Sequence, residues 1–204
     1  MKKQVDKDHY DFLKYVNKSR FMSYYYQIKN ILELKPNSVL EVGCGNNFLK
    51  NFFDKSITYK TLDFDSELKP DYIGSVTQMP IGDKKFDIIC CFQVLEHLTF
   101  DKFEKALAEI HRVSKKHVLL SLPYSALTFK FELKLPFIKG LKLKLDIPKF
   151  YKIHKFDGEH YWEIGKRGYS LNKIKNIIRK YFVIEGVYNQ YENPYHMFFR
   201  LRKK

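Results

Sequence analysis

Apolar residues fall into two patterns along this chain. The first is short and nearly unbroken. Ser38-Val-Leu-Glu-Val42, Ile57 to Leu62 ending on Asp63, Phe86-Asp-Ile-Ile-Cys-Cys-Phe92, and His117 to Leu122 before Pro123 are all of this kind. Such runs are the mark of strands buried on both faces of a parallel sheet. A minor strand is expected at Tyr72-Ile73. The second pattern has helical spacing. Phe21, Tyr25, Ile28 and Leu32 recur at that spacing and predict an N-terminal helix over 7–33, closed by Pro36. Thr99 is placed to cap a helix through Val113, with Phe100, Phe103, Leu107 and Ile110 inward. Ser170 is placed to cap another, with Leu171, Ile174, Ile178 and Tyr181 inward. A brief helix is expected from Asn46 to Phe53. Two last strands, about 182–190 and 195–202, flank the turn Glu192-Asn193-Pro194 and must run antiparallel.

Strands that alternate with helices and close on a hairpin predict an α/β fold on a parallel sheet with one antiparallel strand. At 204 residues the chain suits one domain, 1–204. Within it, 1–36 is an N-terminal helical region and 124–160 a lysine-rich insertion.

Composition narrows the classes. Apolar residues make up 45% and charged ones 29%, as in soluble globular proteins. No apolar run reaches the ~18 residues of a membrane-spanning helix. The opening MKKQVDKDHYDF has no apolar stretch and does not read as a secretory signal, so a cytoplasmic location is expected. Cys90 and Cys91 are adjacent in a strand and point to opposite faces, and Cys44 stands in a glycine turn. All three are expected as free thiols.

The net charge of +14 is uneven, for eight lysines stand between Phe129 and Lys155 against Glu132 and Asp146. There Leu127, Phe129, Phe131, Leu133 and Leu135 alternate with polar residues, as do Leu141, Leu143 and Leu145. Alternation predicts an extended ribbon, a flap with its apolar face toward the site and its cationic face toward solvent. Three readings stay open for the 129–155 cluster: peripheral contact with an anionic membrane, contact with RNA, or a lid that lysines keep soluble.

The chemistry lies in Glu41-Val-Gly-Cys-Gly45. A strand that runs into Gly-x-Gly makes a nucleotide crevice, because glycine lets the backbone turn and approach a ligand. Asp63 ends the next strand, where a carboxylate can take both hydroxyls of a ribose. The dinucleotide fingerprint G-x-G-x-x-G is broken by Phe48. Glu41 would also repel a pyrophosphate, whereas a cationic sulfonium ligand has a use for it.

Val39 to Gly45 resembles the first motif of class I S-adenosylmethionine-dependent methyltransferases of the type 11 kind. Thr61-Leu-Asp-Phe-Asp65 is similar to their second motif. Gly74 to Pro80 resembles the adenine-side loop, and Phe86 to Leu98 the fourth-strand motif. The resemblance implies a Rossmann-like three-layer sandwich with a mostly parallel seven-stranded sheet. It also implies S-adenosyl-L-methionine as cofactor. Glu41, Gly43, Cys44 and Gly45 would then line its methionine end, and Asp63 would hold the ribose. Phe64 would pack on the adenine, Val76 and Thr77 would flank its edge, and Gln93 would lie below the sulfonium. Asn47 replaces a frequent third glycine but tolerates a left-handed backbone. Ser75 stands where an acid is usual.

His97, at the crevice mouth, is the candidate general base, with His160 in Gly158-Glu-His-Tyr-Trp-Glu163 as a second lining residue. Glu96-His97 is also similar to part of the Glu-x-x-Glu-His metal site of small-RNA 3′-end 2′-O-methyltransferases. Gln93 replaces its first Glu and is a poorer ligand, so no metal is assigned. The acceptor class favoured is a metabolite, glycan or lipid-linked molecule, methylated at O or N. RNA stays as an alternative. So does a protein that binds adenosylmethionine without turnover. A nucleotide-binding oxidoreductase would need a third glycine and a Tyr-x-x-x-Lys pair, and neither stands out.

Overall fold

The computed structural model describes residues 12–204 and, of Leu135, Ile138 and Lys139, the backbone alone. Its strands are β1 (Ser38–Val42), β2 (Thr58–Asp63), β3 (Tyr72–Ile73), β4 (Phe86–Phe92), β5 (Ser114–Pro123), β6 (Ala126–Leu135), β7 (Ile138–Pro148), β8 (Phe182–Asn189) and β9 (His196–Lys203). Seven of them form one sheet in the order β3-β2-β1-β4-β5-β9-β8. The pairs from β3 to β5 are parallel. Strand β9 is antiparallel to both β5 and β8, so it alone runs against the rest, as the closing turn predicted.

The unbroken apolar runs are needed because both faces of the sheet are covered. Leu40, Val42, Ile89 and Cys91 meet one core with α3 (Phe103–Val113) and α4 (Leu171–Ile178). Val39, Ile88 and Cys90 meet the other, with Ile31 and Leu119. Cys90 and Cys91 are therefore free thiols on opposite faces, and burial pushes both well above the ordinary thiol range. Helix α3 buries Phe103, Ala106, Leu107, Ile110 and Val113. Each large side chain there contributes about 1.5–3 kcal/mol through removal from water. Ser170 caps α4 by accepting from the Lys173 N–H.

Three local expectations need correction. The N-terminal helix is broken: α1 (Phe12–Tyr15) stops, Asn17 caps anew by accepting from the Arg20 N–H, and α2 (Lys18–Glu33) follows. Residues 7–11 of the expected helix lie outside the described residues. The face that α2 buries is not the apolar one. Ser23, Gln27, Asn30 and Ile31 are buried, while Phe21, Tyr25 and Leu32 are exposed. The stretch Asn46–Phe53 holds only a 3-10 turn at Leu49–Phe52, because Asn47 takes a left-handed backbone just before it. Thr99 forms no side-chain cap, and Phe100–Lys102 is a 3-10 turn leading into α3.

The insertion forms a ribbon, as its alternation predicted: β6 and β7 pair antiparallel as a separate two-stranded sheet. Its faces are reversed from expectation. The polar side chains turn to the protein, with Lys144 Nζ bonded to the Asn189 carbonyl at 3.1 Å and Lys142 Nζ 3.3 Å from Glu192. The apolar ones turn to solvent. A lone two-stranded ribbon is marginal in water, and these polar anchors hold it.

The anchor is the loop between β8 and β9. Glu192 accepts from the Tyr26 hydroxyl at 3.2 Å, and Asn193 donates to Ser23 at 2.9 Å, both on α2. Asn189, just before it, donates to Asp146 of β7 at 2.9 Å. Tyr195 donates to Glu163 at 2.9 Å. No helix among the described residues is long and apolar enough to cross a membrane.

Candidate active site

A crevice opens at the carboxyl ends of β1, β2 and β4, where open α/β sheets take their ligands. Its floor is the loop after β1. Gly43 has φ +79°, and a Cβ there would stand 2.3 Å from Val94 Cγ2. Only glycine fits. Gly45 (φ 49°) and Asn47 (φ 57°) continue the left-handed turn, and Asn47 secures it by donating to the Leu68 carbonyl at 2.9 Å. Asn does here what a third glycine would do, as the sequence suggested.

Two carboxylates face this loop. Glu41 is 5% exposed, and its Oε2 accepts from the Tyr59 hydroxyl at 3.0 Å. Burial pushes its pKa up to about 8, with the Tyr59 bond opposing and the Asp63 charge reinforcing the shift. Asp63 accepts from the Cys44 N–H at 3.1 Å and from the Asp65 N–H at 3.0 Å. Burial raises its pKa, and the N–H groups of Asp65, Cys44 and Phe64 resist. The Cys44 thiol also donates to Asp63 Oδ2, at 3.8 Å. Among the described residues, no lysine or arginine forms an ion pair with Glu41 or Asp63.

Of the residues singled out in the sequence, Glu41, Gly43, Cys44, Gly45, Asp63, Phe64, Val76, Gln93 and His97 all line the crevice. Thr77 does not; its hydroxyl is 2.9 Å from that of Ser75, in the turn behind Val76. Gln93 donates to the Ser121 hydroxyl at 3.1 Å from a backbone with φ 56°. His160 is outside the lining, but its ring is 5.0 Å from that of His97, edge to face. Trp162 of the same stretch is no wall of the crevice. It is wholly buried against Phe100 and Phe103, and its indole donates to the Leu98 carbonyl.

The roof was missed. Arg20, Ser23, Tyr24 and Gln27 of α2 line the crevice, as does His196 at the start of β9. The signal was there: Arg20, Ser23, Gln27 and Asn30 form a polar stripe at helical spacing, and a polar stripe covers a polar ligand. His196 is buried, which pushes its pKa down to about 3, with Arg20 and His160 adding to the effect. It is a neutral wall.

At the mouth stands a second cluster. Glu96 is wholly buried, and neither carboxylate oxygen has a hydrogen-bond partner. Burial lifts its pKa to about 7, partly offset by His160. One His97 nitrogen lies 3.0 Å from the Glu159 carbonyl. Burial disfavours charge on His160, yet the Glu163 hydrogen bond and the charges of Glu96 and Asp157 prevail and raise its pKa. Ligand atoms of Glu96, His97 and His160 all fall within 4.8 Å of one another.

A cavity with two buried carboxyl groups, neither in an ion pair among the described residues, suits a cationic ligand. Residues 40–122 match the family described as "Methyltransferase domain". No curated protein matches the chain by sequence. Among solved structures, the chain is similar to 1,6-didemethyltoxoflavin-N1-methyltransferase of Burkholderia thailandensis with bound 1,6-didemethyltoxoflavin and S-adenosylhomocysteine. The identity is 13%, with 91% of this chain and 86% of that one covered and a TM-score of 0.58. A glycopeptide N-methyltransferase with bound S-adenosylhomocysteine aligns at 13% identity over 93% of this chain and 91% of its own, TM-score 0.57. Small RNA methyltransferase HEN1 aligns at 15% identity over 91% of this chain but 25% of its own, TM-score 0.62. These likenesses show a shared fold over 91–93% of this chain. Their acceptors differ in class.

Proposed function

We propose that this chain transfers a methyl group from S-adenosylmethionine to an oxygen or nitrogen of a small-molecule, glycan or lipid-linked acceptor. The pairing of Glu41 and Asp63 around a left-handed Gly-Cys-Gly loop, with neither in an ion pair among the described residues, carries the reading. When bound, the cofactor supplies an electrophilic methyl on a positive sulfur. Glu41 would meet its ammonium end, Asp63 the ribose hydroxyls, and Phe64 and Val76 the adenine.

The chain's own work is positioning and proton management. Holding the two reactants in line is worth up to about 7–11 kcal/mol in favourable cases. His97 lines the crevice where it opens toward His160, so its imidazole is placed to take the acceptor's proton. The Glu159 carbonyl fixes the ring when the facing nitrogen carries a hydrogen. His160, held by Glu163, orients the His97 ring from its edge.

Calorimetry with S-adenosylmethionine, S-adenosylhomocysteine and NAD tests the cofactor. Failure of the first two to bind overturns the proposal, and binding of NAD alone would revive an oxidoreductase. Mass spectrometry of extracts incubated with the protein and isotopically labelled cofactor then reads the acceptor.

One observation favours a second reading of the mouth. A buried carboxylate with both oxygens unpartnered, beside two imidazoles, is a ligand set for a divalent ion. Gln93 is engaged by Ser121, so the set has three side chains. Titration with manganese in the calorimeter separates the readings. Binding lost in Glu96→Gln supports the ion, and silence leaves His97 as a metal-free base.

A further inference from the structure

The β6–β7 ribbon carries an apolar face that nothing among the described residues covers. Its register sets Leu127 opposite Ile147, Phe129 opposite Leu145, Phe131 opposite Leu143 and Leu133 opposite Leu141. Every second residue of a strand shares a face, so these four pairs form one continuous surface. All eight side chains are 41–60% exposed. Patches of that kind on a domain mark a contact with something else.

The opposite face explains the orientation. Lys144, Asp146 and Lys142 are tied to Asn189 and Glu192, and Lys130 and Lys142 sit over the Tyr191 ring at 5.3 and 5.0 Å. The ribbon is thus held with its apolar side outward. It does not fold over the crevice.

The chain leaving the ribbon, Lys149-Phe-Tyr-Lys-Ile-His-Lys-Phe156, extends the surface. Phe150, Tyr151, Ile153 and Phe156 are exposed there. Lys149, Lys152 and Lys155 stand between them, and none meets a carboxylate among the described residues. Aliphatic and aromatic side chains beside unneutralised lysines match the boundary between lipid chains and anionic headgroups.

We propose that the β6–β7 ribbon and the 149–156 segment dock the protein on an anionic phospholipid bilayer, the apolar face entering the headgroup region and the three lysines meeting lipid phosphates. Charge decides between this occupant and a second copy, for face-to-face pairing would bring together two chains of net charge +14. RNA fits less well, since the exposed face is mainly aliphatic and the ribbon's Lys142 and Lys144 are already paired. Docking goes beyond methyl transfer and needs no cofactor. The same segment leads into His160, so an acceptor held at a membrane surface would arrive beside the mouth of the crevice.

Co-sedimentation of the full chain with vesicles, without cofactor, tests the proposal. Binding is expected to phosphatidylcholine vesicles that contain phosphatidylglycerol and not to phosphatidylcholine alone. Phe129→Ser with Leu145→Ser should weaken it roughly 100-fold, taking ordinary burial values for the two side chains. Should that pair disturb the ribbon, Lys152→Gln and Lys155→Gln alter exposed side chains only, and each should cost about fivefold. Equal binding to neutral vesicles, or no vesicle binding, overturns the proposal. So does a concentration-dependent dimer, or retention of RNA without vesicle binding, abolished by Phe129→Ser with Leu145→Ser.

Discussion

Glu41 should make cofactor binding release a proton. Its carboxyl is buried, its pKa lies near 8, and it accepts a hydrogen bond from the Tyr59 hydroxyl. At pH 7 only about one molecule in ten then carries the charged form. A cationic ligand selects that form, so binding must expel the proton from the other nine-tenths. Affinity should rise close to tenfold for each pH step below 8, because a pKa difference is a free energy of about 1.4 kcal/mol per step. The window is about pH 6 to 7.5, where the ligand's own α-amino group, with an ordinary pKa of ~7.7–8.0, stays charged. Calorimetry in two buffers of different ionisation enthalpy counts the protons directly. Nearly one proton should leave per S-adenosylmethionine bound at pH 6.5. Glu41→Gln cannot ionise, so its binding should release none and lose the pH slope, with the wild-type advantage shrinking as pH falls. Buffer-independent enthalpies for the wild type, or an unchanged slope in Glu41→Gln, would refute the reasoning.

Other consequences are more direct. Asp63→Ala should abolish measurable S-adenosylmethionine binding while circular dichroism stays native, since two N–H donors of the loop then turn to water. His97→Ala should lower kcat by about 10²–10⁴-fold for a hydroxyl acceptor and leave the cofactor Kd within a factor of a few, read by single-turnover rates and calorimetry. The folded state holds the His196 pKa near 3, below the unfolded ~6.5. Its contribution is therefore whole above pH ~6.5 and falls as pH drops, by about 2 kcal/mol at pH 5. Urea midpoints should show that slope in the wild type and a shallower one in His196→Asn. Phe103→Ala, at a wholly buried site, should cost about 3–5 kcal/mol in chemical denaturation.

The sheet was legible because parallel strands covered on both faces must be apolar throughout, and FDIICCF admits little else. The floor of the crevice was legible for a related reason: Gly43 and Asn47 stand where the backbone needs a positive φ. What could not be read was which side of an amphipathic element faces inward. Periodicity gives the stripe, and the choice of side is made by what lies opposite. For α2 the neighbour is a polar cavity, so Ser23 and Gln27 turn in and Phe21 and Leu32 turn out. For the ribbon the neighbour is the Asn189–Glu192 loop, so Lys142 and Lys144 turn in and Leu143 turns out. His160 and His97, separated by sixty residues of chain, meet because the Tyr161 N–H bonds to the Glu96 carbonyl at 2.9 Å, a contact with no signature in the sequence.

Loops that join two antiparallel strands usually tolerate inserted residues better than any other part of a fold. The β8–β9 loop should be an exception. Glu192 and Asn193 hold the roof helix, Asn189 and Glu192 hold the ribbon, and Tyr195 holds the histidine cluster. One residue added there shifts three attachments at once. In a library of random insertions, this short turn should be as sparsely populated as a core strand.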